Sequence, residues 1–250
     1  ELLYWKEKLA GAPHFVEIAT DHPYPEKHRM RGDTCMRQLP ISLWNAFRTL
    51  SQAERVTPFT ALLTAFAAWI ARYTSQEDFL IGTPVANRNR TELEGLVGLF
   101  VNTLAIRTDL SGNPSYRQLL RRVNTNVVQA LDHQNLPFDQ LVSALNPERR
   151  LGRNPLVQIV FVLQQSRGRE LILSGLSTSS AVIPNETAKF DLTLFVTPQA
   201  DTLQLRLEYN SELFEKATIE RMLDHFQVLL EGILADPDGP VYHLPLFSEA

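Results

Sequence analysis

Residues 79–109 read FLIGTPVANRNRTELEGLVGLFVNTLAIRTD, a stretch that alternates between strand-like and loop-like composition. Its apolar opening, FLI, predicts a short strand that ends at Gly82 and Pro84. Thr91 and Glu94 have the spacing of a capping box, which predicts a short helical turn inside the polar loop that follows. The strand-like pattern then returns, so the stretch predicts two strands joined by a long loop.

Asn102 breaks the apolar pattern of the second of these strands, which is predicted to begin at Phe100. Period-two spacing places Asn102 on the same face as Leu104, Ile106 and Thr108. An amide on an apolar strand face marks either a functional position or a side chain that bonds to neighbouring backbone groups. Both interpretations stay open from the sequence.

Composition limits the classes of protein to which the chain can belong. Its 250 residues are 44% hydrophobic and 21% charged, as in a soluble globular domain. The net charge of −4 argues against a nucleic acid or an anionic membrane as partner. No run of about 18 apolar residues is present, so we expect no transmembrane helix. The single cysteine, Cys35, excludes an intrachain disulfide and fits a cytoplasmic protein.

Hydrophobic periodicity predicts an α/β domain, with helices packed mainly on one face of a mixed sheet. Helices are predicted at residues 1–10, 42–50, 58–73, 113–131, 137–145 and 216–234, with Ser42 and Thr57 as N-caps. Further strands are predicted at residues 32–40, 157–163, 171–176, 190–196 and 203–209. The apolar run at 157–163 predicts a central strand. The alternating run at 203–209 predicts a strand that pairs with 190–196 and has one wet face.

No complete catalytic centre is visible in the sequence. It contains no G-x-S-x-G, H-E-x-x-H or C-x-x-C motif and no phosphate-binding glycine loop. His14, His22 and His28 share one irregular connection but lack metal-ligand spacing, so we expect no metal site. His133 lies between two predicted helices, where a loop-bonding or capping role is favoured over that of a base. Cys35 is predicted to be a packed residue rather than a nucleophile.

Five ordered segments resemble signature segments of the condensation domains of non-ribosomal peptide synthetases. Besides residues 79–109, these are YWKEKLAGAP at 4–13, HQNLPFDQLV at 133–142, RNPLVQIVFVLQ at 153–164 and KFDLTLFV at 189–196. The catalytic motif of that family, HHxxxDG, does not occur in the chain. Residues 1–250 therefore resemble a single C-terminal lobe, whose expected fold is the two-layer, mainly antiparallel architecture of chloramphenicol acetyltransferase.

The resemblance implies a role in peptide-bond formation that depends on partners. This lobe would close one wall of a tunnel in which upstream and downstream peptidyl carrier proteins present phosphopantetheine arms. An N-terminal lobe would supply HHxxxDG, an adenylation domain would follow, and no cofactor would bind the chain directly. Residues 1–31 would connect the two lobes, and residues 240–250 would form an extended tail that begins the next linker. The alternative function is a non-catalytic module that docks carrier proteins or neighbouring domains.

The resemblance implies that three residues of the matching segments lie at the tunnel: Asn87, Arg88 and Asn102. Asn102 would orient the acceptor or stabilise developing charge through its amide. Arg88 would lie near the tunnel or brace its own loop in an ion pair.

Three further residues are expected to maintain local structure: Arg153, Asn154 and Asp191. The residues before RNPL, Leu151 and Gly152, depart from the family pattern and leave the role of that loop open. Residues 189–196 resemble the region in which this lobe reaches across to the other, which implies hydrogen bonds that are intermolecular or missing in the lone lobe.

Overall fold

The computed structural model describes residues 1–27, 29–164 and 186–247, in which seven α-helices and six strands are found. The helices are α1 Leu2–Lys8, α2 Ile41–Ala53, α3 Pro58–Thr74, α4 Thr91–Glu94, α5 Tyr116–Asp132, α6 Phe138–Leu145 and α7 Lys216–Ala235. The strands are β1 Gly32–Pro40, β2 Asp78–Val85, β3 Asn102–Asp109, β4 Ile159–Leu163, β5 Leu192–Pro198 and β6 Thr202–Asn210. The strand predicted at 171–176 and His28 lie outside the described residues.

The six strands form one mixed sheet in the order β1-β6-β5-β4-β2-β3. β4 runs parallel to β5 and β2, and the other three pairings are antiparallel. Ile159, Val160 and Phe161 of β4 are buried, which confirms the central strand that the apolar run predicted. β6 pairs with β5 and buries alternate leucines, also as predicted. The mixed, mainly antiparallel α/β fold is therefore confirmed.

β5 corrects the expectation that residues 189–196 pair outside the chain. This strand forms a parallel ladder with β4 on one side and an antiparallel ladder with β6 on the other. Both edges of β5 are therefore hydrogen-bonded within the chain, and its residues Leu192, Leu194 and Val196 are fully buried.

The helices α2, α3, α5 and α7 contact one another and form a layer on the sheet. α3 lies in the middle of this layer, and its residues from Thr60 to Ala71 are all buried. The ring of Phe66 lies 5.5 Å from that of Phe161 on β4. Burial on nearly every side explains why α3 is apolar around most of its circumference.

Of the three threonine or serine N-caps predicted, one is confirmed and two are wrong. Thr57 caps α3, because its hydroxyl accepts a hydrogen bond of 3.1 Å from the backbone N–H of Thr60. α2 instead begins at Ile41 directly after Pro40, without a side-chain cap. Thr91 likewise is no cap, since α4 begins at that residue after Arg90.

α5 starts later than predicted. It begins at Tyr116 rather than near Asn113, and Ser115 and Gln118 form a reciprocal capping box at its N-terminus. The second strand of the central stretch is also shorter than predicted, since β3 begins at Asn102 instead of Phe100.

β2 does not end at Gly82 but continues to Val85. A Cβ at Gly82 would lie 2.5 Å from Cγ1 of Val157, so the glycine lets the chain leading into β4 approach closely. Pro84 lies one residue before the end of β2, beyond Gly82, the position at which this strand pairs with β4.

Residues 240–247 lie against the helix layer, so the prediction of an extended tail is wrong for them. Val241 and Leu244 are buried, and Nη1 of Arg72 donates a hydrogen bond of 2.7 Å to the carbonyl of Leu244. The segment includes a short 3-10 turn, Val241–His243. No helix of the described residues has the length and apolar character needed to cross a membrane.

Gly82→Ala should lower the free energy of unfolding by about 1–3 kcal/mol, because the added methyl group overlaps the side chain of Val157. Gly95→Ala is the matched control, since no atom lies within 4 Å of its added Cβ and its backbone is right-handed. Urea denaturation of both variants measures the difference. Equal stability of the two would show that the contact at Gly82 relaxes freely.

Candidate functional site

The loop between β2 and β3, residues 86–101, is braced from inside by Arg88. Its guanidinium donates hydrogen bonds to the carbonyls of Leu93 and Gly98, and it lies 4.3 Å from the ring centre of Phe100. Among the described residues no carboxylate pairs with Arg88. The bracing therefore uses backbone carbonyls and a cation–π contact rather than the ion pair considered from the sequence.

The same loop exposes a cluster of apolar side chains, which we call the loop patch: Leu96, Val97, Leu99 and Val101. Their exposed fractions are 51%, 105%, 92% and 58%. Nearby, Asn87 adopts a left-handed backbone conformation with φ of 50°, which asparagine tolerates better than most residues. The chain turns at Asn87 as it leaves β2 and enters the loop.

Asn102 uses its whole amide to hold the loop between α5 and α6. Nδ2 donates to the carbonyls of Gln134 and Leu136 at 2.9 and 2.8 Å, and Oδ1 accepts from the N–H of Phe138 at 3.0 Å. Two carbonyls on one side and one N–H on the other fix the orientation of the amide. Only 8% of the residue is exposed. These contacts are those of the backbone-bonding interpretation, while the tunnel role stays a prediction.

The loop between α5 and α6 also contacts the first helix and the β2–β3 loop. The carbonyl of His133 accepts a hydrogen bond of 2.9 Å from Nε1 of Trp5, and its ring stacks on Tyr4 with centres 3.9 Å apart. Nδ2 of Asn89 donates to Oδ1 of Asn135 at 3.0 Å. His133 is thus held in loop packing, and three of the signature segments meet around it.

Arg153 and Asn154 connect the irregular segment after α1 to the sheet. Nη1 of Arg153 bonds Glu17 at 2.8 Å, and Nη2 donates to the carbonyl of Val16 at 2.6 Å. Nδ2 of Asn154 donates to the carbonyl of Lys189 at 2.6 Å, just before β5. The side chain of Arg153 is only 5% exposed, so the pair with Glu17 is shielded on one side.

Asp191 lies at the end of this network and is fully buried. The hydroxyl of Tyr24 donates to its Oδ2 at 2.8 Å, while Oδ1 has no hydrogen-bond partner among the described residues. Burial raises the pKa of Asp191 to about 6, against the hydrogen bond from Tyr24 and the charge of Arg153, which lower it.

An apolar cleft of about 790 Å³ opens between the helix layer and the sheet, beside α5 and the start of α3. Its lining residues are Trp44, Thr57, Pro58, Phe59, Thr83, Pro84, Val85, Leu104, Ile106, Val127, Leu131, Val162, Leu163, Gln164 and Pro198. Leu104 and Ile106 share the strand face that begins with Asn102, so the cleft adjoins the loop that Asn102 holds.

Metal-ligating residues are not grouped in the part of the chain that the structure describes: no three His, Cys, Asp or Glu side chains come together there. Cys35 is buried on β1, as expected for a packed residue.

Comparison with known proteins places these features in a family. The family model described as "Condensation domain" matches residues 1–250. Chondramide synthase cmdD of Chondromyces crocatus is 42% identical over 247 residues, which are 99% of this chain and 6% of that protein. The chain belongs to the condensation domain family, and its relatives are non-ribosomal peptide synthetases of much greater length.

Solved structures share the fold. A four-domain non-ribosomal peptide synthetase bound to AMP and glycine matches with a TM-score of 0.92 and 27% identity, over 99% of this chain and 20% of that one. The first condensation domain of the calcium-dependent antibiotic synthetase matches with a TM-score of 0.81 and 18% identity. That match covers 99% of this chain and 53% of the solved one.

Sequence reasoning missed Glu17 and Tyr24, the partners of Arg153 and Asp191. Both lie in the irregular segment after α1, where no periodicity indicates which residues face the sheet. The cleft was missed as well, because its lining comes from helices and strands that lie far apart in the sequence. The only signal was the density of apolar residues around Thr57 and Pro58.

Asn102→Asp should destabilise the chain by roughly 2 kcal/mol, because a carboxylate oxygen replaces the donor to two backbone carbonyls and leaves them without a partner. Asn89→Asp serves as control: its hydrogen bond is exposed, and we expect a change within about 0.5 kcal/mol. Chemical denaturation measures both. Similar effects of the two variants on the free energy of unfolding would show that the hydrogen bonds of Asn102 stabilise the fold no more than an exposed hydrogen bond does.

Asp191→Asn should flatten the pH dependence of stability. The folded chain binds the Asp191 proton more tightly than the unfolded chain, in which the pKa is about 3.9. The wild type therefore loses stability from this group as the pH rises from about 4 to 6. The free energy of unfolding of the variant relative to wild type should rise by about 2 kcal/mol between pH 4.5 and 7.5.

Urea titrations at both pH values provide the measurement, with the exposed Asp201→Asn as control. A constant difference between Asp191→Asn and wild type across this range would mean that Asp191 is not protonated more readily in the folded chain.

Proposed function

We propose that this chain is the C-terminal lobe of a condensation domain and acts in peptide-bond formation together with an N-terminal lobe. The observation that carries the proposal is the family match over all 250 residues of a sequence in which HHxxxDG is absent. The match to 53% of a solved condensation domain is what one of two lobes of similar size would give. Residues 1–31 are proposed to connect the lobes, and a linker is proposed to begin within residues 240–250.

The loop patch supports the proposal that another protein lobe packs against this chain. Val97 and Leu99 are almost fully exposed, yet Arg88 holds their loop in a defined shape through two carbonyls and the ring of Phe100. Contiguous exposed apolar side chains on a braced loop are typical of an interaction surface. We infer that the N-terminal lobe covers the loop patch.

In the proposed reaction, the acceptor amine attacks the donor thioester carbonyl and forms a C–N bond. The C–S bond then breaks, the thiol of the donor arm leaves, and the amine loses a proton. The described residues of this chain offer no histidine with a catalytic arrangement for that proton, so the N-terminal lobe would handle it. The contribution of this chain is to shape one wall of the tunnel, and Asn102 is a positioning residue because it holds the loop between α5 and α6.

Upstream and downstream peptidyl carrier proteins would deliver both substrates on phosphopantetheine arms, and an adenylation domain would follow in the same polypeptide. The chain itself would bind no cofactor, and the reaction would take place in the cytoplasm. The second candidate is a docking module without catalysis, which the exposed loop patch also fits.

The test joins the chain at residue 1 to an N-terminal lobe that carries HHxxxDG, and mass spectrometry follows dipeptide formation between two loaded carrier proteins. The joined protein should form product, while the chain alone and a variant with the second histidine of the motif replaced should form none. The intact domain that donates the lobe is the positive control, and thermal unfolding shows that the joined protein is folded. Product from the chain alone would refute the proposal. Carrier binding without product from a folded joined protein would favour the docking module.

A further inference from the structure

The apolar cleft has the position and size of a small-molecule site. It lies at the carboxyl ends of β2, β4 and β5, which run parallel, and open α/β sheets bind ligands at such ends. Its volume of about 790 Å³ falls in the range of ligand pockets in proteins, roughly 300–1,000 Å³. Phe59 lines the cleft and packs against the fully buried ring of Phe161, with ring centres 5.7 Å apart, so this side of the cleft is held in place.

Four lining residues carry polar side-chain atoms, Trp44, Thr57, Thr83 and Gln164, of which Trp44 and Gln164 offer neutral N–H donors and the others are engaged in hydrogen bonds. The hydroxyl of Thr57 bonds the N–H and hydroxyl of Thr60, and that of Thr83 donates to the carbonyl of Phe161 at 3.0 Å. Oε1 of Gln164 accepts from the hydroxyl of Thr197 at 3.2 Å. The remaining lining residues are apolar, and none is charged. A charged ligand would lose water in the cleft without an opposite charge to compensate for it.

The mouth of the cleft adjoins the elements of the proposed tunnel wall. Val85 lines the cleft, pairs with Asn102 in the sheet and leads directly into the loop that Arg88 braces. Leu131 lines the opposite side, near the end of α5 and the loop that Asn102 holds. A group entering beside the β2–β3 loop therefore meets the cleft first.

We propose that the cleft binds an uncharged apolar group of a carrier-bound substrate, of the size of a branched aliphatic or aromatic side chain. This inference rests on the proposed function for its substrate. The site itself follows from the lining, which is mostly apolar and carries no charged side chain. The loop held by Asn102 keeps α5 in place, so the width of the cleft depends on that amide.

The test measures binding of the uncharged fluorescent probe N-phenyl-1-naphthylamine to the 250-residue chain, with displacement by 1-octanol or octanoate. Octanol should displace the probe at concentrations at least roughly ten-fold lower than octanoate, because the carboxylate would be desolvated beside a lining that offers no cation. Leu131→Trp should weaken probe binding about ten-fold or more by filling the cleft, in line with the contribution of one buried apolar side chain.

Val128→Trp is the matched control, since Val128 is on the same helix, is 50% exposed and does not line the cleft. It should leave binding unchanged. Val85→Asp, which places a charge at the mouth, is a second variant in case Leu131→Trp does not fold, and it should weaken binding as well. Equal effects of Leu131→Trp and Val128→Trp, or equal displacement by octanol and octanoate, would overturn the proposal.

A second readout uses the joined two-lobe protein. Leu131→Trp should lower kcat/KM for aminoacyl substrates with leucine or phenylalanine side chains relative to alanine, while Val128→Trp should not change that ratio. If the added lobe prevents probe binding to the cleft, and Leu131→Trp does not change the ratio of kcat/KM values, the cleft is an interface between the lobes and the inference fails. Because probe binding is measured on the chain alone, its failure is distinct from a failure of condensation.

Discussion

The hydrogen bonds of a single amide connect the strand face of the core to the loop between α5 and α6. Asn102 satisfies two carbonyls and one N–H that the turn between two helices would otherwise leave without partners. An unsatisfied group of this kind, when buried, costs roughly 1–3 kcal/mol. The position of α6, the end of α5 and the contacts of His133 all depend on this connection. An amide was required there because neither a hydroxyl nor a carboxylate offers both two donors and an acceptor.

Local patterns predicted those elements in which burial follows a simple period. The alternation in β6, the apolar run of β4 and the Thr-Pro start of α3 all match the structure. Gly82 was misinterpreted as a strand end because its role depends on Val157, 75 positions further along the chain. The order of the strands and the parallel pairing of β4 with β5 are set by contacts between distant segments, which no local pattern encodes.

The candidate site was predicted in part. The sequence singled out Asn102 and offered the backbone-bonding interpretation, but not which loop it holds. Arg153 and Asp191 were recognised as motif residues, whereas their partners Glu17 and Tyr24 lie more than 130 positions away in a segment without periodicity. The cleft is lined by residues of both the helix layer and the sheet, and amphipathic patterns report which face of a helix is buried without reporting which strands lie beside it.

The packed segment at residues 240–247 determines where the backbone departs from the domain. Gly232 on α7 admits Pro245 so closely that a Cβ would lie 2.6 Å from its ring, and Arg72 fixes the carbonyl of Leu244. A polypeptide attached beyond this point would pivot about the last anchored residues instead of swinging from the end of α7. The distance that such a polypeptide can span would start at the surface of the helix layer. Its rotational freedom would be smaller than that of a polypeptide attached to the end of α7.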